Sequence, residues 1–475
     1  MSSLPSGSFH SAPPQPGSDS DGQLAAGVAP RSWRVGTLTY SLAGLLVLFA
    51  WLLLGDFGYW MRERSAAPVA QLMLKKFQAS DLFTGVFLLT IPWAVILILG
   101  PVVSYWSDHY RSRWGRRIPF LLASAPLTTF SIIGLAFSPA MGRWLHGLLG
   151  LAPERINFTI LAVMCACWTF FEIGVVIANA IFNGLINDVV PRELLGRFFG
   201  LFRMVSLGAG VLFNYRIIGQ AEQHYSIILV GIGLIYGVGM ALMCWRVKEG
   251  DYPPPAQSGA SDRHPVIRVL RDYWRDCLVK PYYLMTFAFI GLANLAFVPV
   301  NTFSIYAAKS FNMTMETYGR YLVVTYLCSF VIAFPIGWLA DKFHPLRATL
   351  AALVLYAGVM AAGFAGIGDD TSFGVVFLAH GVLAGVYFTG VAALPQMLFP
   401  KEKFTQFAAA AGMVAALFNM AMGPVLGALL DGLGGDYRYV FLAGSVLAIG
   451  SLALGAVIHV QWKKLGGKAA YVAPA

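Results

Sequence analysis

The sequence predicts an all-α membrane protein, with twelve transmembrane helices arranged as two pseudo-symmetric six-helix bundles. Three features lead to it. Of the 475 residues, 57% are hydrophobic and only 12% charged, about half the charge of an average soluble domain. The apolar residues gather into twelve runs of about 20 residues or more, each long enough to cross a hydrocarbon core of roughly 30 Å as a helix. One charged hairpin sequence also occurs twice, at matching places in the two halves of the chain.

Residues 1–36 are rich in Ser, Pro and Gly and lack both an apolar core and a basic start, so they read as a disordered cytoplasmic tail and not as a signal peptide. The apolar runs follow at 37–60, 82–106, 118–138, 156–186, 195–218 and 226–246, then at 282–307, 318–340, 348–367, 372–398, 404–430 and 438–460. They define an N-terminal bundle, 37–246, and a C-terminal bundle, 282–460, followed by a cytoplasmic tail, 461–475. Between the bundles, 247–281 opens with the flexible DYPPPAQSGASD. It continues with Val266, Val269, Leu270, Tyr273, Trp274 and Cys277 at helical spacing opposite Arg263, Arg268, Arg271 and Arg275. This is an amphipathic linker helix, lying either on an anionic inner leaflet or against the protein.

With both termini cytoplasmic, more than twice as many of the 33 Lys and Arg residues fall on the inner face as on the outer, as the positive-inside bias requires. The exception is the expected first outer loop, which holds Arg62, Arg64, Lys75 and Lys76. The net charge of +10 is spread along one membrane face and calls for no nucleic-acid partner. The five cysteines lie in helices or on the inner side, and Cys165-x-Cys167 reads as helix packing before a metal site. Phosphate-loop, His-Glu-x-x-His and Gly-x-Ser-x-Gly motifs do not occur, so ATP drive, hydrolase chemistry and a cofactor have no support. An integral multi-pass protein of the plasma or inner membrane, acting as a monomer, is the expectation.

The first hairpin is Gly100–Phe120, GPVVSYWSDHYRSRWGRRIPF, with Asp108 at a helix end followed by Arg111, Arg113, Arg116 and Arg117. The second is Gly337–Arg347, GWLADKFHPLR, with Asp341, Lys342 and Arg347. A carboxylate facing a basic cluster at a helix end forms charge-assisted bonds that hold helices in one state and release them in another, which is a gate. The alternative is that these arginines only set topology. Gly-x-x-x-Asp with a basic turn, present twice, resembles the signature loop of the major facilitator superfamily; Gly337–Asp341 match it, and Ser104 replaces the glycine of the first copy. The longer string Ser107-Asp108-x-x-x-Ser112-Arg113-Trp114-Gly115-Arg116-Arg117-x-Pro119-Phe120 resembles, more narrowly, the sucrose transporters and the related glycoside-pentoside-hexuronide cation symporters. Sodium-coupled members of that group carry paired aspartates in the second helix. This chain reads FLLTIPWAVILILGP there, Phe87–Pro101, without an acid, so the resemblance implies proton coupling.

Polar groups inside the spans are costly in hydrocarbon and mark a cavity or a partner. Glu172 lies about 16 residues into the fourth span, near the midplane at about 1.5 Å per residue, and is the leading proton carrier; a permanent ion pair is the other reading. Arg203 either pairs with Glu172 or Asp188 or snorkels to the inner surface. Asp56, placed near the outer mouth, is an outer gate, a second proton site or a solvated helix end. His380 is a proton relay or a packed hydrogen-bonding residue. Asn179, Asn183 and Asn187 share a helical face, as do Asn294 and Asn301. Such amides suit either a ligand rich in hydroxyls or interhelical bonding. Trp168 and Tyr387 offer rings for a sugar face or for packing. Together these residues predict a secondary active transporter moving a sugar or glycoside with protons by alternating access. Proton-driven export of a drug or metabolite is the alternative, as is a non-transporting, pigment-binding assembly factor of the same fold.

Overall fold

A computed structural model describes residues 32–251 and 279–474. The expected linker helix and most of the N-terminal tail lie outside the described residues. What the tail reading did not anticipate is a small antiparallel hairpin, β1 (Trp33–Val35) and β2 (Leu38–Tyr40), leading into the first helix. Among the described residues the later elements are helices, and eleven segments are long and apolar enough to cross a membrane.

In the first half these are α1 (Leu42–Lys76), α2 (Asp81–Gly85) joined by a π turn to α3 (Ile91–His109), α4 (Ile118–Leu149), α5 (Ile156–Val189), α6 (Leu195–Leu212) and α7 (Ala221–Arg246). One 55-residue stretch, Arg192–Arg246, counts as a single segment but makes two passes. Along α1, Phe49 and Trp60 meet Phe198 and Phe202 of α6 in the same order, whereas Trp51, Gly55 and Gly58 meet Arg246, Met243 and Tyr236 of α7 in reverse. The chain therefore folds back between α6 and α7, at the short helix Ile218–Gln220. Twelve passes result.

The second half comprises α8 (Pro281–Leu295) and α9 (Val298–Ser310), one pass broken ahead of Pro299, then α10 (Met315–Phe343), α11 (Pro345–Gly366), α12 (Asp370–Val391), α13 (Leu394–Leu398), α14 (Phe404–Gly432) and α15 (Tyr439–Lys464). A final turn, α16 (Gly467–Ala470), follows. Several helix starts are capped by side chains that satisfy otherwise unpaired N–H groups. Ser41, Ser80 and Thr314 accept from the backbone three residues on, and Asp369 with Ser372 forms a capping box.

The two halves repeat one packing scheme. The pairs α4–α5, α4–α7, α1–α7 and α1–α6 in the first half correspond to α11–α12, α11–α15, α8–α15 and α8–α14 in the second. The halves meet through α14 against α2–α3, and through α10 against the end of α6, again a symmetric pair. Small residues permit that approach: Gly85 and Gly423 face each other so closely that a Cβ on either would overlap the other's backbone, and Gly319 sits likewise on Asn214.

The first helix departs from the sequence reading. It begins at Leu42 and runs 35 residues to Lys76, so Arg62, Arg64, Lys75 and Lys76 are helical and not part of an outer loop. The expected boundary rested on charge as a mark of water. Here protein answers the charge instead: Arg62 is fully buried, Lys75 packs over the rings of Tyr306 and Tyr437, and Val69, Ala70, Met73 and Leu74 bury the face between.

Candidate functional site

Extending α1 moves its charged residues into the centre of the first bundle. Asp56 lies inside the helix rather than near the mouth; it is fully buried, and neither carboxylate oxygen has a hydrogen-bond partner among the described residues. Arg62, also fully buried, donates to Glu63 at 3.2 Å, and its guanidinium lies over Tyr59 (4.7 Å), Tyr236 (5.2 Å) and Phe171 (5.8 Å). Its Nε and Nη1 find no partner among the described residues. Glu172, 8% exposed and adjacent to Phe171 on α5, is within electrostatic reach of both Arg62 and Glu63. Aromatic faces stabilise the guanidinium but leave its N–H groups free to turn between the two carboxylates. Glu172 stands out in the sequence as an acid deep in a span, whereas Arg62 and Arg64 read there as outer-loop residues and Glu63 is not distinguished at all. The signal available was their position two turns beyond Asp56 with no Gly or Pro between them and the end of the apolar run.

A cavity of about 1090 Å³ lies between the halves. Arg64 of α1 and Arg203 of α6 line one wall; Asn301, Thr325, Tyr326, Ser329 and His380 line the other. His380 is 1% exposed and spans two partners, Tyr356 Oη at 2.9 Å from Nδ1 and Asn301 Oδ1 at 3.0 Å from Nε2. Because Oδ1 only accepts, Nε2 carries the hydrogen toward Asn301 and the Tyr356 hydroxyl faces Nδ1. Asn301 thus joins a buried imidazole to the cavity. Asn294 accepts from Tyr387 at 3.0 Å.

Other expected residues are placed differently. Arg203 pairs with neither Glu172 nor Asp188; Asp188 is held by Arg116 (2.7 Å) and Arg117 (3.3 Å). Trp168 stacks on Phe87 at 4.8 Å in the apolar core, and Tyr387 is fully buried against Phe297, so neither ring lines the cavity. Along α5, Asn183 and Asn187 are exposed and donate to the carbonyls of Asn179 and Asn183, one turn back on their own helix.

At the hairpins, the side chains of Asp108 and Asp341 lie outside the described residues. Around the first, Arg117 Nη1 donates to Ser107 Oγ at 2.6 Å. Glu249, just past α7 and not anticipated from sequence, accepts the backbone N–H groups of Arg116, Arg117 and Ile118 at 3.0, 2.8 and 2.6 Å. It caps α4 and ties the hairpin to the end of the bundle. Arg113 packs on Trp114. In the second copy Lys342 lies over Trp338 and Arg347 over Trp462.

The described hydrogen bonds and ion pairs between the halves lie toward the face opposite Ser41 and Lys464. There Asp431 accepts from the backbone of Asp81 and Leu82, Tyr437 donates to Asp81, Thr84 meets Tyr306, and Lys309 pairs with Glu222. A cavity between two repeated bundles, sealed toward one face, is the arrangement of an alternating-access carrier.

A family model described as "MFS/sugar transport protein" matches residues 80–427. The chain belongs to this family. The transporter is accordingly a secondary carrier of the major facilitator superfamily and not an enzyme. Among solved structures it is similar to a bacterial homolog of the human lysosomal transporter Spinster in an inward-facing, unoccupied conformation, with TM-score 0.63, 14% identity and coverage of 91% of this chain and 98% of that one. A bacterial homologue of the iron transporter ferroportin in an inward-facing state gives 0.65 at 15% identity, covering 87% and 99%. A D-xylose-proton symporter gives 0.54 at 13% identity, covering 86% and 96%. These likenesses concern the fold. No match was found among curated proteins.

Proposed function

We propose that the transporter is a proton-coupled symporter of a sugar or glycoside, with both termini cytoplasmic and the two bundles rocking about the central cavity. The observation that supports it best is the placement of Glu172 with Arg62 and Glu63 in the membrane interior, beside a cavity sealed toward one face. A carboxylate in apolar surroundings stays ionised only where a cation answers it. Arg62 is that cation, shared with Glu63, which is 43% exposed. Proton loss from Glu172 draws Arg62 toward it and loosens Arg62 from Glu63; proton gain reverses this. The position of α1 is thereby linked to the proton. His380 relays to Asn301 in the cavity wall, and Asp56 is a second protonatable group on α1. Asn179, Asn183, Asn294 and Asn301 offer amides to hydroxyls. Asp108, Arg113, Arg116, Arg117, Asp341, Lys342 and Arg347 act at the cytoplasmic gate, where Asp188 and Glu249 hold the arginines of the first copy. A sugar is favoured by the description of the family model and by a likeness in fold to a D-xylose-proton symporter.

The test is uptake into proteoliposomes under an imposed inward proton gradient with a broad sugar panel. Glu172→Gln is expected to abolish gradient-driven accumulation and retain exchange. Normal pH-dependent accumulation by that variant removes Glu172 as the carrier, and no accumulation of any sugar by the wild type overturns the importer reading.

A further inference from the structure

Two cationic side chains in the cavity wall are not answered by an acid there. Arg64 Nη2 donates to Ser206 Oγ at 3.4 Å, and its guanidinium is held between the faces of Trp60 (5.2 Å) and Tyr326 (5.1 Å). Ser206 stands one turn beyond Arg203 on α6, so the two guanidiniums open onto the same stretch of the cavity. Among the described lining residues there is no Asp or Glu. No described hydrogen bond or ion pair involves Arg203. The acids of this region are elsewhere: Glu63 is paired with Arg62, Glu172 is buried on α5, and Asp56 lies two turns back along α1; none lines the cavity.

Two guanidiniums sharing a low-dielectric wall repel each other unless an anion stands between them. Their planar forks match oxyanions in pairs of parallel bonds, and an aromatic clamp on one of them fixes its plane in advance. A single carboxylate leaves one positive charge unmatched. A phosphate monoester, with a charge of about −1.5 to −2 near neutral pH, matches both. The facing wall supplies Asn301, Thr325, Ser329 and, through Asn301, His380, which suit a hydroxyl-bearing remainder. We infer that the cargo carries a phosphate-class dianion held between Arg64 and Arg203. This rests on the transport reading above and narrows its cargo to a sugar phosphate or a similar organic phosphate.

The full chain, purified in detergent, is titrated at constant ionic strength with inorganic phosphate, glucose 6-phosphate, glucuronate and methyl glucoside, with binding read by calorimetry and by thermal shift. Saturable binding of both phosphate probes is expected, with glucose 6-phosphate at least about tenfold tighter than glucuronate or methyl glucoside, a gap of about 1.4 kcal/mol. Arg203→Gln and Arg64→Gln should each weaken phosphate binding by about tenfold or more, and Arg203→Lys should recover part of it. Their unliganded melting temperatures serve as the check on folding. Equal or tighter binding of glucuronate or the neutral glycoside, phosphate binding unchanged in both Gln variants, or no saturable phosphate response overturns the inference. A neutral glycoside accumulated under a proton gradient without phosphate binding overturns this inference alone. Phosphate binding without gradient-driven uptake of the same ester leaves it standing and overturns the proton-symport reading.

Discussion

The carboxylate of Asp431 accepts the backbone N–H of Asp81 at 2.8 Å, with the neighbouring N–H of Leu82 at 2.9 Å, across the boundary between the bundles. A side chain of the second half thus caps a helix of the first, and the N-terminal end of the α2 dipole strengthens the bond. Tyr437 completes the contact by donating to Asp81 at 2.9 Å.

Replacing Asp431 by Ala removes a charged cap present only when this face is closed. Such caps contribute about 1–2 kcal/mol, so the ratio of open to closed at this face should shift by about tenfold toward open. Spin labels at Ser80 and Glu316 report the opening as a longer distance population; an unchanged distribution means the cap contributes nothing to closure.

Gly85→Ala should obstruct the same closure by another route. The added methyl would overlap the backbone of Gly423 in the closed face, and overpacking of this kind costs about 1–3 kcal/mol. Transport should fall by about tenfold while expression and membrane insertion persist. Gly100→Ala, which meets nothing within 4 Å, is the matched control and should transport normally.

Glu249→Ala leaves three N–H groups at the start of α4 without their acceptor. A loss of about 1–3 kcal/mol is expected, seen as a lower melting temperature in detergent. Glu249→Gln, which keeps one acceptor oxygen, should lie between the variant and the wild type.

His344 joins α10 to α11 with φ of 85°, and its Nδ1 accepts the N–H of Leu346 at 3.2 Å, a bond only the neutral ring can make. Burial, with the charges of Arg347 and Lys468 added, pushes it down from 6.5 to about 4. Between those values the unfolded chain binds the proton and the folded chain does not, so this contribution to stability is complete above pH 6.5 and is lost as pH falls toward 4. His344→Asn keeps a side-chain acceptor for the N–H of Leu346 without a group that titrates in this range and should flatten this part of the melting-temperature profile. A profile as steep as that of the wild type assigns the loss to other groups.

Much of the architecture was legible from hydropathy and the duplicated hairpin, because lipid forces every spanning backbone into helix and each span needs a run of fixed minimum length. Legibility failed where charge was taken as a sign of water. Arg62 reads as loop in one dimension and is buried in three, since beyond Tyr59 on its own helix the rings that cover it, Phe171 of α5 and Tyr236 of α7, come from helices far away in sequence. The same holds for partners. Nothing local shows that Asp188 meets Arg116 and Arg117 while Arg203 pairs with neither Asp188 nor Glu172, or that Glu249 caps α4 more than a hundred residues before it.

The linear pattern of apolar runs and repeated acids and arginines was enough to determine twelve passes in two related halves and the family they belong to, because those properties depend on one span at a time. Which charges meet was decided only by tertiary packing. Packing within the first bundle brings Asp188 to Arg116 and Arg117 and the rings of Phe171 and Tyr236 to Arg62, and the closure of the two bundles toward one face pairs Lys309 with Glu222 and leaves a cavity that holds Arg64 and Arg203.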